Sequence, residues 1–192
     1  MEKHKESEEI NYNWVLEILK NGNQNFVDNW GQRRNYRKEV RDTSTGQTPF
    51  AAILSCIDSR VPVETIFDLG IGDVFSFRAA GNFVDPKIEE NNNILGSLEF
   101  AKISGVQLIL VLGHTGCGAV KAAIAGDPTE CQQTNQMIGR LQNNITTNDE
   151  NKAIRENVLN TIKHIRKHSH CLSTFNIEGG IYDITTGKVE FI

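Results

Sequence analysis

The strongest constraint on the fold is the nearly continuous apolar run VQLILVLG at residues 106–113. A strand that is apolar on both faces must be covered on both faces, which is typical of a central strand in a parallel sheet. The run PFAAILSC at 49–56 and the segment GDVFSFRAAG at 72–81 predict two further strands. Segments with helical spacing alternate with these strands. The chain is therefore predicted to have an α/β fold, with a mostly parallel central β-sheet and helices on both faces.

Apolar residues at helical spacing predict the helices. Residues 11–30 predict a helix that is broken near Gly22, and the basic, aperiodic residues 31–48 are interpreted as a connecting arm, so 11–48 form an N-terminal helical arm. Four more helices are expected at 91–104, 118–126, 134–145 and 151–168.

The two chain ends complete the predicted domain, which spans residues 1–192. Residues 1–10 are charged and are expected to be frayed. Residues 177–192 predict a strand, a turn at Thr186-Gly187 and a short antiparallel C-terminal edge strand.

Composition excludes several classes of partner. The 20 Lys and Arg against 24 Asp and Glu give a net charge of −4, which argues against a protein that binds nucleic acid or an anionic membrane. No apolar run approaches the roughly 20 residues that span a bilayer, and the charged start MEKHKESEEI does not resemble a secretory signal. Four cysteines are too few for a disulfide scaffold, so a reduced, cytoplasmic protein is expected.

Two segments carry the residues that indicate chemistry. Cys56, Asp58 and Arg60 follow the first predicted strand, and His114 and Cys117 follow the central one. In open α/β sheets, ligands bind beyond the carboxyl ends of the strands. If the two strands are neighbours, two thiolates and one imidazole converge there. Such a set suits Zn²⁺ and leaves a fourth position open, as in catalytic zinc sites.

The residues around this predicted site have expected roles of their own. Two thiolates cancel the charge of Zn²⁺, so a bound water would be less acidic than at a three-histidine site. Asp58 could accept a hydrogen bond from that water, and Arg60 could keep Asp58 ionised and oriented. The glycines at 113, 116 and 118 are expected to let the backbone bend closely around the metal.

The segment CIDSRVP, followed by GHTGCGAV, resembles the paired motifs CxDxR and HxxC of the β-class carbonic anhydrases. The resemblance extends from about residue 16 to residue 192. It implies reversible hydration of CO2 to bicarbonate by hydroxide on Zn²⁺, with Cys56, His114 and Cys117 as the zinc ligands. It also implies that Asp58 and Arg60 are the catalytic pair and that the protein is a homodimer or homotetramer.

The same resemblance implies a substrate pocket at the subunit interface. Gln47 matches a glutamine that hydrogen-bonds the substrate in plant-like members. Phe75, Ala80 and Phe100 match positions that line the apolar CO2 pocket. Ala80 stands where plant-like members often have Val, and Phe100 where they often have Tyr.

Some members carry a regulatory bicarbonate site with a Trp at the position of Ile53 and an Arg at the position of Arg78. The missing Trp argues against that kind of regulation here. In members of this type, the aspartate corresponding to Asp58 can become the fourth zinc ligand and close the site at low pH. We predict the open state near neutral pH, with Asp58 paired to Arg60.

Other functions remain as alternatives. The same zinc framework could hydrolyse COS or CS2, or could serve a non-catalytic zinc-binding dimer. Cys117 or Cys56 could also act as the nucleophile of a thiol hydrolase. Nucleotide binding is disfavoured because GHTGCGAVK lacks the GK[ST] ending of a P-loop.

Overall fold

The computed structural model describes residues 10–85 and 93–192, which contain a five-stranded sheet in the order β2-β1-β3-β4-β5. The strands are β1 (Ala51–Ser55), β2 (Val74–Arg78), β3 (Leu108–His114), β4 (Ile177–Tyr182) and β5 (Val189–Phe191). Strands β2, β1, β3 and β4 are parallel, and β5 is antiparallel to β4. The predicted parallel sheet with an antiparallel C-terminal edge is confirmed.

Helices cover both faces of this sheet. They are α1 (Tyr12–Val27), α2 (Tyr36–Thr43), α3 (Val63–Ile66), α4 (Asn93–Ile103), α5 (Gly118–Ala125), α6 (Gln132–Gln142) and α7 (Glu150–His168). Apolar side chains of α1 and α3 pack on one face, and those of α4 and α7 pack on the other. A short 3-10 turn, Ala80–Asn82, follows β2.

Strand β3 is the centre of the core. All its residues are buried, and successive side chains enter opposite layers. Leu110 packs with the α1 layer, whereas Val111 packs with the α7 layer. Because β1 is buried in the same way beside it, the carboxyl ends of both strands are held rigidly at one edge of the sheet.

The N-terminal region differs from the prediction in two ways. Helix α1 runs through Gly22 without a break, and the glycine instead allows α1 to lie against the backbone of Phe67. The arm also contains helix α2, whose start is capped by Asn35 accepting from the backbone N–H of Lys38 at 3.1 Å. No residue of α2 is buried, so the sequence lacks the apolar period that would reveal this helix.

The arm is fastened to the loop after α3. Asp68 accepts from the backbone N–H of Gln32 at 3.0 Å and pairs with Arg34 at 3.4 Å. Both side chains of the ion pair are largely buried, with exposed fractions of 11% and 8%. Tertiary contacts of this kind stabilise the arm in place of a hydrophobic face.

We expect Gly22→Ala to destabilise the protein. A Cβ there would overlap the carbonyl oxygen of Phe67. Because this oxygen belongs to the backbone, it cannot move aside as easily as the end of a flexible side chain. The expected cost is roughly 2–3 kcal/mol in the free energy of unfolding by urea. Gly139→Ala in α6 is the matched control, because nothing lies within 4 Å of the new Cβ. That variant should be more stable by about 0.5–1 kcal/mol. Equal stabilities for the two variants would contradict this packing.

Three sequence-based expectations fall partly outside the described residues. Of the start expected to be frayed, 1–10, residues 1–9 lie outside the described part of the chain, and the predicted helix 91–104 includes two undescribed residues before Asn93. The single domain over 1–192 stays a prediction. Among the described helices, none has the length and apolar character needed to cross a bilayer.

Candidate metal centre

The predicted metal ligands lie together at the carboxyl ends of β1 and β3. These strands are parallel neighbours in which Ser55 pairs with Leu112, so Cys56 and His114 emerge at the same edge of the sheet. The ligand atoms of Cys56, His114 and Cys117 all lie within 4.8 Å of one another. Their side chains are buried, with His114 fully so. The predicted convergence is confirmed.

His114 presents an unsatisfied nitrogen to this group. Its Nδ1 lies 3.0 Å from the backbone carbonyl of Thr115. Because a carbonyl only accepts, Nδ1 must carry the proton, and Nε2 is left with a free lone pair. Nε2 is buried and has no hydrogen-bond partner. A buried, unpaired nitrogen is costly, and a metal ion would satisfy it.

The two thiols lie close enough to shift each other's pKa in opposite directions. A hydrogen bond with Cys117 lowers the pKa of Cys56 well below its usual range, and Gly81 also donates its backbone N–H to Cys56 Sγ at 3.4 Å. The pKa of Cys117 is raised by the same bond and by burial. Two thiols beside a free imidazole nitrogen form a donor set that fits Zn²⁺.

Asp58 and Arg60 form a bidentate pair beside this group. Arg60 Nε donates to Asp58 Oδ1 at 2.9 Å, and Nη2 donates to Oδ2 at 2.6 Å. Asp58 Oδ2 lies 4.0 Å from His114 Nε2. The hydrogen bonds from Arg60 hold the pKa of Asp58 far below its usual range, so an ionised carboxylate faces the site.

Arg60 also donates to the backbone carbonyl of Gly116 at 3.3 Å. The guanidinium therefore links the segment after β1 to the segment after β3. Because Arg60 is hydrogen-bonded to this loop, it holds the Asp58 carboxylate in a fixed position.

Arg78 has a structural role that the sequence did not reveal. From the end of β2, its guanidinium donates to the carbonyl of Cys56 at 3.1 Å and to that of Asp58 at 2.6 Å. Ile53 is fully buried in the core. Arg78 thus holds the loop after β1, and Ile53 is part of the core.

A sequence model of one protein family, described as carbonic anhydrase, matches residues 51–189. The chain belongs to the carbonic anhydrase family. Carbonic anhydrase of Mycolicibacterium smegmatis is 33% identical over 192 aligned positions, covering 90% of this chain and 89% of that protein. The structure of the β-carbonic anhydrase CcaA matches over 93% of this chain and 91% of that chain, with a TM-score of 0.71 and 24% identity. The fold is therefore that of the β class.

A further relative matches over a shorter region. Carbonic anhydrase 2 of Mycobacterium tuberculosis is 45% identical over 109 residues, which are 56% of this chain and 50% of that protein. The matched part of the chain thus spans about half the length of that relative.

The substrate-contacting residues implied by the carbonic anhydrase resemblance are spread over the chain. Ala80 lies next to Gly81, whose backbone N–H donates a hydrogen bond to Cys56 Sγ. Phe100 is 62% exposed on α4. Phe75 is half-buried and pairs with Ala52, about 13 Å along β1 from Cys56.

Gln47 precedes β1, whereas two of the metal ligands of its own chain follow the carboxyl ends of β1 and β3. It is exposed and precedes the amino end of β1, whereas Cys56 follows the carboxyl end. The strand alone separates these ends by about 17 Å. Phe75 and the start of β1, which Gln47 precedes, therefore lie at the opposite end of the strand from Cys56.

The expectation that three glycines bend around the metal is correct for one of them. Gly116 has φ +68°, a conformation that favours glycine, between the two ligands on its loop. Gly113 instead faces α7, where a Cβ would lie 2.7 Å from Val158 Cγ2, so its role is helix packing. Gly118 opens α5 with nothing within 4 Å of its Cβ position.

Proposed function

We propose that the protein catalyses the reversible hydration of CO2 to bicarbonate and a proton, with Zn²⁺ held by Cys56, His114 and Cys117. The observation that carries this proposal is the buried ligand group with the unpaired Nε2 of His114, beside the ionised Asp58. Zinc, when bound there, supplies a Lewis acid that lowers the pKa of water toward neutrality. The membership of the carbonic anhydrase family supports the same reaction.

In this proposal, Asp58 orients the nucleophile. Its carboxylate is ionised and can only accept, so it takes a hydrogen bond from the attacking oxygen's remaining hydrogen. That bond aims the oxygen lone pair at the carbon of CO2. Arg60 keeps the carboxylate in place through its two hydrogen bonds, and the reaction proton leaves to the buffer.

The reaction is tested by assaying the purified, full-length protein with CO2, COS and CS2. We expect rapid hydration of CO2 and little hydrolysis of the sulfur compounds. Faster turnover of COS or CS2 would favour the alternative hydrolase. Zinc without any turnover would indicate a non-catalytic module, and thioester hydrolysis without zinc would indicate a thiol nucleophile.

We also propose that the active unit is a homodimer or homotetramer in which Gln47 and Phe75 serve the partner's site. Their distance from Cys56 in one chain supports this arrangement. The arm also exposes apolar side chains, with Trp30 75%, Tyr36 63% and Val40 55% exposed. Exposed apolar surface of this extent is typical of an interface between subunits. A cytoplasmic location is proposed as well, since free thiol ligands need a reducing compartment.

Subunit mixing tests the assignment of Gln47. Gln47→Leu should lower CO2 hydration by roughly ten- to a hundredfold, because it removes a hydrogen bond to the substrate. Cys117→Ser should be inactive. Co-expression of the two variants should restore about a quarter of wild-type activity, since half of the dimers then hold one complete site. No recovery above the Gln47→Leu level would show that Gln47 does not act across the interface.

A further inference from the structure

The loop after β3 carries two of the three candidate zinc ligands and is fastened to the turn between β4 and β5. His114 pairs with Tyr182 in the sheet, and the backbone N–H of Thr115 donates to the carbonyl of Tyr182 at 2.9 Å. Both strands end here, at His114 and Tyr182, and are followed by the ligand loop and by residues 183–188. The next contacts between these two segments involve the side chain of Thr115.

The Thr115 hydroxyl supplies that connection. It donates to Asp183 Oδ1 at 3.3 Å and accepts from the backbone N–H of Ile184 at 3.1 Å. The carbonyl of the same residue accepts from His114 Nδ1 at 3.0 Å. Thr115 therefore touches the turn with its side chain and the His114 ring with its backbone.

The turn is itself held firmly. Asp183 accepts from the backbone N–H of Thr185 and from the hydroxyl of Thr186, both at 2.8 Å. Asn23, buried on α1, donates to the carbonyl of Gly187 at 2.9 Å and accepts from the N–H of Val189 at 2.8 Å. The turn is thus a rigid support that is connected to the helical layer on the far side.

We propose that Thr115 and Asp183 are positioning residues that preset His114 and Cys117 for zinc. The hydroxyl fixes the loop against the turn before metal arrives, so that binding Zn²⁺ needs little reorganisation. The loop also lies close to the turn at Gly116, where an added Cβ would lie only 3.1 Å from Ile184 Cδ1. The inference rests on the proposed zinc site and adds two residues that do not touch the metal.

The test is the zinc affinity of the full-length protein, measured by competition with a chelator. Thr115→Val keeps the shape of the side chain and removes the hydroxyl. We expect it to bind zinc about 10–100-fold more weakly than the wild type, the usual effect of losing a partner behind the ligands. Thr115→Ser keeps the hydroxyl and should bind within about threefold of the wild type.

Two further variants separate positioning from general stability. Thr146, in the loop before α7, donates a hydrogen bond from its hydroxyl to the carboxylate of Glu156 at 2.8 Å. Thr146→Val removes this bond, which is of the same kind but lies elsewhere, and should leave zinc affinity unchanged. Asp183→Asn weakens the acceptor and should lower the affinity in the same direction as Thr115→Val. The loss of affinity in the double variant should be smaller than the sum of the two single losses, because both changes break the contact between Thr115 and Asp183.

The outcomes distinguish this inference from the proposed function. Failure of the wild type to bind zinc would overturn the proposed function. A wild type that binds zinc while Thr115→Val binds equally well would overturn only the positioning role. If Thr115→Val folds poorly, Asp183→Asn gives the answer, and an unchanged affinity in that variant contradicts the proposal.

Discussion

Cys117→Ser should lose most of its zinc and its CO2 hydration together. The hydroxyl of serine is a far weaker zinc ligand than a thiolate, and two protein ligands do not hold the ion against a chelator. We expect well below one zinc per chain, on the order of a tenth, by metal analysis after dialysis. Hydration by stopped flow should fall in proportion.

Cys131→Ser is the matched control, because Cys131 is an exposed free thiol at the start of α6. This variant should keep both zinc and activity. Full zinc retention in Cys117→Ser, or equal loss in both variants, would contradict the ligand assignment.

Asp58→Asn should keep its zinc yet hydrate CO2 about 10²–10⁴-fold more slowly. The amide can still accept at one atom, but it presents a donor where the carboxylate presents an acceptor, and it loses the charge that binds Arg60. Zinc content should stay near the wild-type value, since Asp58 is not among the three ligands of the buried group.

Asp127→Asn, in the loop between α5 and α6, controls for the loss of one negative charge and should be unaffected. A near-normal kcat for Asp58→Asn across the pH range would refute the role of Asp58. Loss of zinc in the same variant would make Asp58 a required ligand.

The pKa of Asp58 also determines what pH dependence is expected. The hydrogen bond from Arg60 lowers the pKa of Asp58 far below its usual range. The carboxylate therefore stays ionised at every pH above that lowered pKa, and its contribution to catalysis is lost only in strong acid. Any change in activity between pH 6 and 9 should therefore come from another group.

In a crystal of the zinc-loaded protein at pH 7–7.5, we expect Asp58 to be hydrogen-bonded to Arg60. An Asp58 oxygen within about 2.2 Å of zinc would show a closed site.

The central features of the fold could be predicted because they depend on local sequence. The run at 106–113 indicated the buried strand β3, and the motifs at the ends of two strands indicated Cys56, His114 and Cys117 as candidate ligands. Parallel strands bring their carboxyl ends to one edge, so convergence of the ligands followed once β1 and β3 were neighbours.

The features that were missed depend on contacts between distant segments. Arg78 reaches the Cys56 carbonyl only because the register places Ser55 beside it. The unbroken α1 depends on the approach of Phe67 to Gly22, and nothing near Gly22 in the sequence encodes that approach. Helix α2 buries none of its residues and depends on the hydrogen bonds and ion pair that join the arm to Asp68.

Reconstitution with zinc determines whether the hydration of CO2 by this protein depends on the metal. The metal-free, full-length protein is titrated with Zn²⁺ under reducing conditions, and CO2 hydration is measured at each addition. We expect activity to rise linearly and to stop rising at about one zinc per chain. Hydration by the metal-free protein, or zinc binding at this stoichiometry without hydration, would contradict the proposed function.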